Sequence, residues 1–180
     1  MEKQITVEKI TDVEMIRKIV KWCWGINSTA TLSKWYGSKH SPIYTQQFLI
    51  FVCAEKSVMD QMRTHEKNGC QFFCDSGRPD TGNNTDGNSR NALRKFAIWC
   101  NAEHLMKMAE NRLCYKAELP TWEFMMKLRQ VISDGVDRSL ADKMQPKCTV
   151  YRDGCKEFEP CNMIHRDLPY GVLIPVIRKP

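Results

Sequence analysis

Apolar residues recur at helical spacing over several stretches of the chain and crowd together in one. Thr11-Asp12-Val13-Glu14 forms a capping box, with Glu three residues beyond Thr. Val13, Ile16, Ile19, Val20, Cys23 and Trp24 then fall on one helix face, and Gly25 stands just past its end. Residues 26–41 are polar and turn-rich. From Pro42 to Ala54 the run is β-branched and aromatic, which predicts a buried strand. Ser57 can cap a helix over 58–68, on which Val58, Met62 and His65 share a face at i, i+4 and i+7. A long Gly/Asn-rich loop spans 69–90. The spacing next predicts a long helix over 90–112, with Leu93, Phe96, Ala97, Cys100, His104 and Met108 on its buried side. Pro120-Thr121 starts another helix, Trp122 to Ile132, ended by Asp134-Gly135, and a short one covers about 136–145. The tail from Pro146 is irregular. The pattern is that of a helix-rich α+β chain with few strands, and it contains no internal repeat.

Composition narrows this picture. The 180 residues suit one domain over 1–180, and a hydrophobic fraction of 42% is enough for a core. No apolar run approaches ~18 residues, so no membrane span is expected. The charged start, Met1-Glu2-Lys3-Gln4, lacks the apolar segment of a secretory signal. Nine Cys, an odd number, with ten Met point to a reducing cytoplasm. The net charge of +6 is small and dispersed, with no basic run, so nucleic acid is not the expected partner.

Three groups of residues could carry chemistry. Cys148, Cys155 and Cys161, with His165 beyond them, are zinc-type ligands, but no CxxC occurs. They read as packing or incidental thiols, and no metal is assigned. His65 shares its face with core residues and should point inward or into a cleft, flanked by Arg63, Glu66 and Lys67. Asn101 and Arg112, eleven residues apart on the expected helix, would share a stripe about 16 Å long. Such a stripe suits a long ligand with separated polar groups; the alternative is a solvated Arg112 favoured by the helix dipole.

The order of these motifs resembles the flavin-dependent thymidylate synthases over about residues 12–162. Met15 to Trp24 resembles that family's first helix. Lys39-His40-Ser41-Pro42 and the strand after it resemble its histidine–Ser/Thr–Pro turn. Gln61-Met62-Arg63-Thr64-His65-Glu66 falls where the family carries Arg-His-Arg, and Ser76-Gly77-Arg78 resembles the Ser-x-Arg that closes that motif. Asn101-Ala102-x-x-Leu105, Arg112 and Trp122-Glu123 resemble its final helix pair.

The resemblance implies a helix-rich α+β fold around a small, mostly antiparallel sheet, assembled as a homotetramer. It implies FAD as cofactor, NADPH as hydride donor and methylene-tetrahydrofolate as carbon donor. The reaction would be C1 transfer, methyl or hydroxymethyl, to C5 of a pyrimidine deoxynucleotide such as dUMP. Carried over by position, His65, Asn101 and Ser41 would contact FAD. Gln61, Ser76, Gly77, Arg78, Arg90 and Arg112 would hold the nucleotide, with Arg94 as an alternative to Arg90. No protein nucleophile is implied. The signature departs here: Arg-His-Arg reads Thr64-His65-Glu66, and Glu103 stands where the family usually has a flavin-phosphate Arg. A catalytically silent, nucleotide-binding or assembly protein is therefore the alternative.

Overall fold

The computed structural model describes residues 2–66, 69–75, 89–150, 155 and 157–161. Ser76, Gly77 and Arg78 lie outside these, as does His165. Four strands, β1 (Gln4–Lys9), β2 (Gln47–Glu55), β3 (Cys70–Cys74) and β4 (Leu93–Asn101), form one antiparallel sheet in the order β1-β2-β4-β3. The helices are α1 (Val13–Trp24), α2 (Leu32–Ser38), α3 (Lys56–Arg63), α4 (Ala102–Arg112), α5 (Leu119–Gly135), α6 (Arg138–Ala141) and α7 (Lys147–Val150). A 3-10 turn, Ser41–Thr45, precedes β2. The helix-rich α+β expectation holds.

Several elements differ from the sequence reading. The long helix over 90–112 is a strand and a helix: β4 is the central strand between β2 and β3, and Asn101 ends it by capping α4. The period of two was masked because both faces are apolar. Phe96, Ile98 and Cys100 face the core, while Ala97 and Trp99 are only half-buried on the other face. The capping box is shifted by one residue. Asp12 is the cap, accepting from Glu14 N–H at 3.0 Å, while the Thr11 hydroxyl donates to the Thr45 carbonyl at 2.6 Å. Helix α2 lies inside the stretch read as turn, because Trp35 and Tyr36 are buried there. The run from Pro42 spends its first residues in the 3-10 turn, where Pro42 occupies the start of the turn. Helix α3 begins at Lys56, so Ser57 is inside it. The first α3 N–H groups are taken up by chain partners: Lys56 N–H by the Ala92 carbonyl at 2.8 Å and Ser57 N–H by Arg90 at 3.0 Å.

The core lies between the sheet and one layer of helices. Phe48, Ile50, Val52, Phe96 and Ile98 meet Met62, Leu105, Met108, Met125 and Leu128, all buried. The opposite sheet face carries Phe51 and Phe73, 45% and 55% exposed, beside Ala97. A buried polar knot fastens the far end of the core. Asp137 caps α6 through Leu140 N–H at 3.0 Å and accepts from the Tyr36 hydroxyl at 2.8 Å; Lys9 pairs with it at 2.5 Å. It thereby joins β1, α2 and α6.

Candidate functional site

The C-terminal end of α3 and the C-terminal end of α4 meet at Arg112. Its guanidinium donates to the Gln61 side-chain oxygen at 2.8 Å, the Gln61 carbonyl at 2.9 Å, the Thr64 hydroxyl at 2.8 Å and His65 Nε2 at 3.0 Å. Four of the five N–H donors of an arginine are thus used. Because Nε donates, His65 Nε2 accepts and its ring proton belongs on Nδ1. Helix α3 stops at Arg63, and Arg112 serves the Gln61 carbonyl of its last turn, which also accepts from the Thr64 hydroxyl at 2.7 Å. Burial lowers the Arg112 pKa, and the charge of Glu118 opposes this.

The group extends towards α4's other end. His104 Nε2 lies 3.1 Å from the His65 carbonyl, and His104 N–H donates to Asn101 Oδ1 at 2.9 Å. Asn101 is buried, and its backbone N–H reaches the Gly69 carbonyl at 3.2 Å. Gly69 has φ +91°, and a Cβ there would stand 2.5 Å from Asn101 Nδ2. The residue must therefore be glycine on two counts. Gly69→Ala is expected to cost about 1–3 kcal/mol from the strained backbone alone, and to push the Asn101 amide aside. Urea unfolding checks the cost; a variant as stable as the parent would mean that the 69 backbone can turn elsewhere.

Gln61, His65 and Arg112 are therefore brought together, Asn101 stands at the opposite end of α4, and His104, which sequence reasoning missed, links it to them. Its position three residues after an N-cap Asn was the available signal, hidden once the segment was read as continuous helix. Arg90 stands at the edge of the group: it is largely exposed and pairs at 2.5 Å with Glu118, whose charge reaches Arg112. Arg94 turns the other way, buried and 3.7 Å from Asp75. Ser41 is exposed at the start of the 3-10 turn, and its hydroxyl makes none of the group's hydrogen bonds. The unusual acids are held by local cations. Glu66 faces Arg63 at 3.9 Å, both well exposed, and buried Glu103 pairs with Lys107 at 2.8 Å.

A second feature adjoins Ser41. Trp24, Ile26, Lys34, Trp35, Ser38 and His40 line a groove of about 320 Å³. Trp24 lies 6.3 Å from the rings of both Trp35 and His40, tilted to one and edge-on to the other. Trp35 is 7% exposed, yet its indole N–H has no hydrogen-bond acceptor. A buried donor without an acceptor carries a desolvation cost of about 1–3 kcal/mol. The nitrogen itself is closed off from the groove, so it is the aromatic walls, and not this donor, that suit a flat ring.

No protein-family model matches the chain, and no curated protein sequence matches it. Solved structures do. Thymidylate synthase X from Helicobacter pylori, crystallised with FAD and dUMP, is similar with a TM-score of 0.62 at 9% identity, covering 79% of this chain and 99% of that one. A second crystal structure of that enzyme with FAD and dUMP gives 0.63 over the same shares and at the same identity. The UMP/dUMP methylase PolB from Streptomyces cacaoi, bound with 5-Br dUMP, gives 0.55 at 11% identity, over 78% of this chain and 94% of that one. The four-stranded sheet and its helical layer have the flavin-dependent thymidylate synthase fold.

Proposed function

We propose that the chain is a flavin-dependent enzyme transferring a C1 unit to C5 of a pyrimidine deoxynucleotide such as dUMP. The observation that carries this reading is that Arg112, at the end of α4, bonds Gln61 and His65 beside the end of α3, with Asn101 linked to them through His104. The similar proteins of this fold were crystallised with FAD and dUMP, or with 5-Br dUMP. In this reading FAD would supply hydride chemistry, with NADPH as donor and methylene-tetrahydrofolate as carbon source.

The chain's own residues bind and orient. Trp24, Trp35 and His40 would wall a flat ring off from water. Lys34 and Ser41 stand by for the cofactor's phosphates. Arg112 keeps one N–H and a full charge for the substrate phosphate, with Arg90 at its edge. Arg78, Ser76 and Gly77 complete the phosphate cradle in the same reading. His65, its tautomer fixed by Arg112, is a further cofactor contact in this reading, carried over by its position in the sequence. Assembly as a homotetramer is part of the proposal. It is supported by the apolar sheet face at Phe51 and Phe73, which no helix covers among the described residues.

One observation favours a second reading, a nucleotide-binding protein without turnover. The engagement of Arg112 with Gln61, Thr64 and His65, and the acid at Glu66, leave fewer free cations than a phosphate-rich site normally uses. Flavin titration is the first test. The purified protein is expected to take up FAD and show flavin absorption in the visible. Trp24→Ala should weaken FAD binding about 5-fold, the equivalent of ~1 kcal/mol of lost ring contact. A colourless protein that takes up no added FAD ends the enzymatic proposal; FAD uptake with no dUMP turnover leaves the silent reading ahead.

A further inference from the structure

Two cysteines face each other across the sheet, next to the residue that caps α4. Cys70 opens β3 and stands directly opposite Cys100, which precedes Asn101 in β4. Directly opposed residues of antiparallel strands share a face, and here it is the core face: Cys70 is 1% exposed and Cys100 fully buried. The backbone shows which kind of pair this is. Asn101 N–H donates to the Gly69 carbonyl at 3.2 Å, and at the other end of β3 Asp75 N–H donates to the Lys95 carbonyl at 3.0 Å. An N–H one residue past one partner, reaching the carbonyl one residue before the other, marks a narrow, non-hydrogen-bonded pair. Cys70–Cys100 and Cys74–Phe96 both meet this condition. A narrow pair holds its Cα atoms about 4.5 Å apart, at the short end of the roughly 4.4–6.8 Å that a disulfide spans. Among the described strands the other cysteines lack such a partner: Cys53 lies between Gln4 and Lys95, and Cys74 opposite Phe96.

Access to this pair comes from the sheet edge. Strand β3 is the outer strand and has five residues, with Cys70 at its end. Opening so short an edge strand uncovers Cys70 while β4 stays paired with β2. Burial pushes the Cys100 thiol well above its ordinary pKa, and Cys70 beside it adds to that. Cys100 is therefore the second sulfur to react.

We propose that Cys70 and Cys100 form a reversible oxidation site, a dithiol that a low-molecular-weight disulfide of the glutathione type converts into a cross-strand disulfide. The Cys70 thiolate attacks one sulfur of the small disulfide, forms a mixed disulfide and expels one small thiolate. The Cys100 thiolate then attacks the Cys70 sulfur, forms the Cys70–Cys100 bond and expels the second. Two protein thiols are oxidised, one small disulfide is reduced to two thiols, and these take the two protons. The new bond lies one residue from both Gly69 and Asn101. It holds the Gly69 carbonyl against the Asn101 N–H and keeps β3 closed beside the cap of α4. A span near the short limit leaves the bond easily reduced, so the lock reverses with reductant. The site does not depend on the flavin and nucleotide reading.

The test uses the full chain, reduced, freed of reductant and incubated with oxidised glutathione in the absence of denaturant. Expected are the loss of the two thiol hydrogens by mass and a linked Cys70–Cys100 peptide in a non-reducing digest, both undone by dithiothreitol. Hydrogen exchange at the Asn101 amide should slow at least ~10-fold in the oxidised form. Cys70→Ser should abolish the link, and Cys23→Ser, exposed on α1, should leave it unchanged. If Cys70→Ser fails to fold, the peptide map of the parent decides alone. Four results would each overturn the site: thiols that react only once urea is added, a glutathione adduct that never closes to the cross-strand bond, a link between other cysteines, or a Cys70–Cys100 link that leaves Asn101 exchange unchanged.

Discussion

Replacing Asp137 by Ala should cost about 3–5 kcal/mol, the range for breaking a buried ion pair from one side. Asp137 is 7% exposed and serves three partners: the Tyr36 hydroxyl, the Lys9 ammonium and the Leu140 amide. Alanine leaves the phenol and an only slightly exposed ammonium without an acceptor and removes the α6 cap, a loss of ~1 kcal/mol by itself. For a chain of this size that is a fall in Tm of roughly 6–20 °C. Asp137→Asn should fall between, since it keeps the shape but loses the charge facing Lys9. The network also sets an alkaline limit. Burial, and then Asp137, raise the Tyr36 pKa far above its ordinary value, whereas in the unfolded chain it ionises near ~10. Stability from this group is therefore complete below pH ~10 and declines above it, and Tyr36→Phe should lose that part of the decline. Urea unfolding of Asp137→Ala, Lys9→Met and the double variant measures the coupling. A loss below about 1 kcal/mol for Asp137→Ala would mean that water replaces its partners freely.

How much of this was legible in the sequence varies with how local each signal is. Helix α1, with Gly25 at φ +68°, and α5, opened by Pro120, were legible because caps and period lie within one stretch. Strands β1 and β3 were not, since Gln4–Lys9 and Cys70–Cys74 are short edge strands whose pairing partners are dozens of residues away. Helix α2 hid because its buried face is only Trp35 and Tyr36 within a polar run. For the site, the residue types were legible and their partners were not. Asn101 and Arg112 do bracket one helix, but Asn101 is its cap and not part of a stripe. Arg112 was expected to face a ligand; that it is held from outside its own helix, by Gln61, Thr64 and His65, depends on a meeting of α3 and α4 that no spacing encodes.

That meeting sharpens the reading of the altered signature. Thr64 and Glu66 stand where the resembling family has arginines, and each has a distinct local use. Thr64 accepts from Arg112, and Glu66 faces Arg63 and accepts from Phe72 N–H at 3.4 Å. An arginine at 64 would bring a second cation to within hydrogen-bonding distance of Arg112. The threonine thus suits a chain whose guanidinium is supplied by α4.

Arg112→Ala is accordingly expected to act on two observables at once. It removes four hydrogen bonds from the last turn of α3, where the partners are half-exposed and water can replace part of the loss, so about 1–2 kcal/mol of stability should go. It also removes the cation proposed for the substrate phosphate, which should weaken dUMP binding by roughly 30-fold, or ~2 kcal/mol. Arg112→Lys should restore little of either, because a single ammonium cannot reach Gln61, Thr64 and His65 together. Nitrogen chemical shifts of His65 provide the structural readout: the Nδ1-protonated tautomer in the parent, and a tautomer mixture in Arg112→Ala. Calorimetric titration with dUMP and dCMP then separates the roles. Lower stability with unchanged nucleotide affinity would make Arg112 a clamp between α3 and α4 and end its phosphate assignment. Weaker binding with unchanged stability would place the guanidinium with the ligand and leave its contacts to α3 energetically idle.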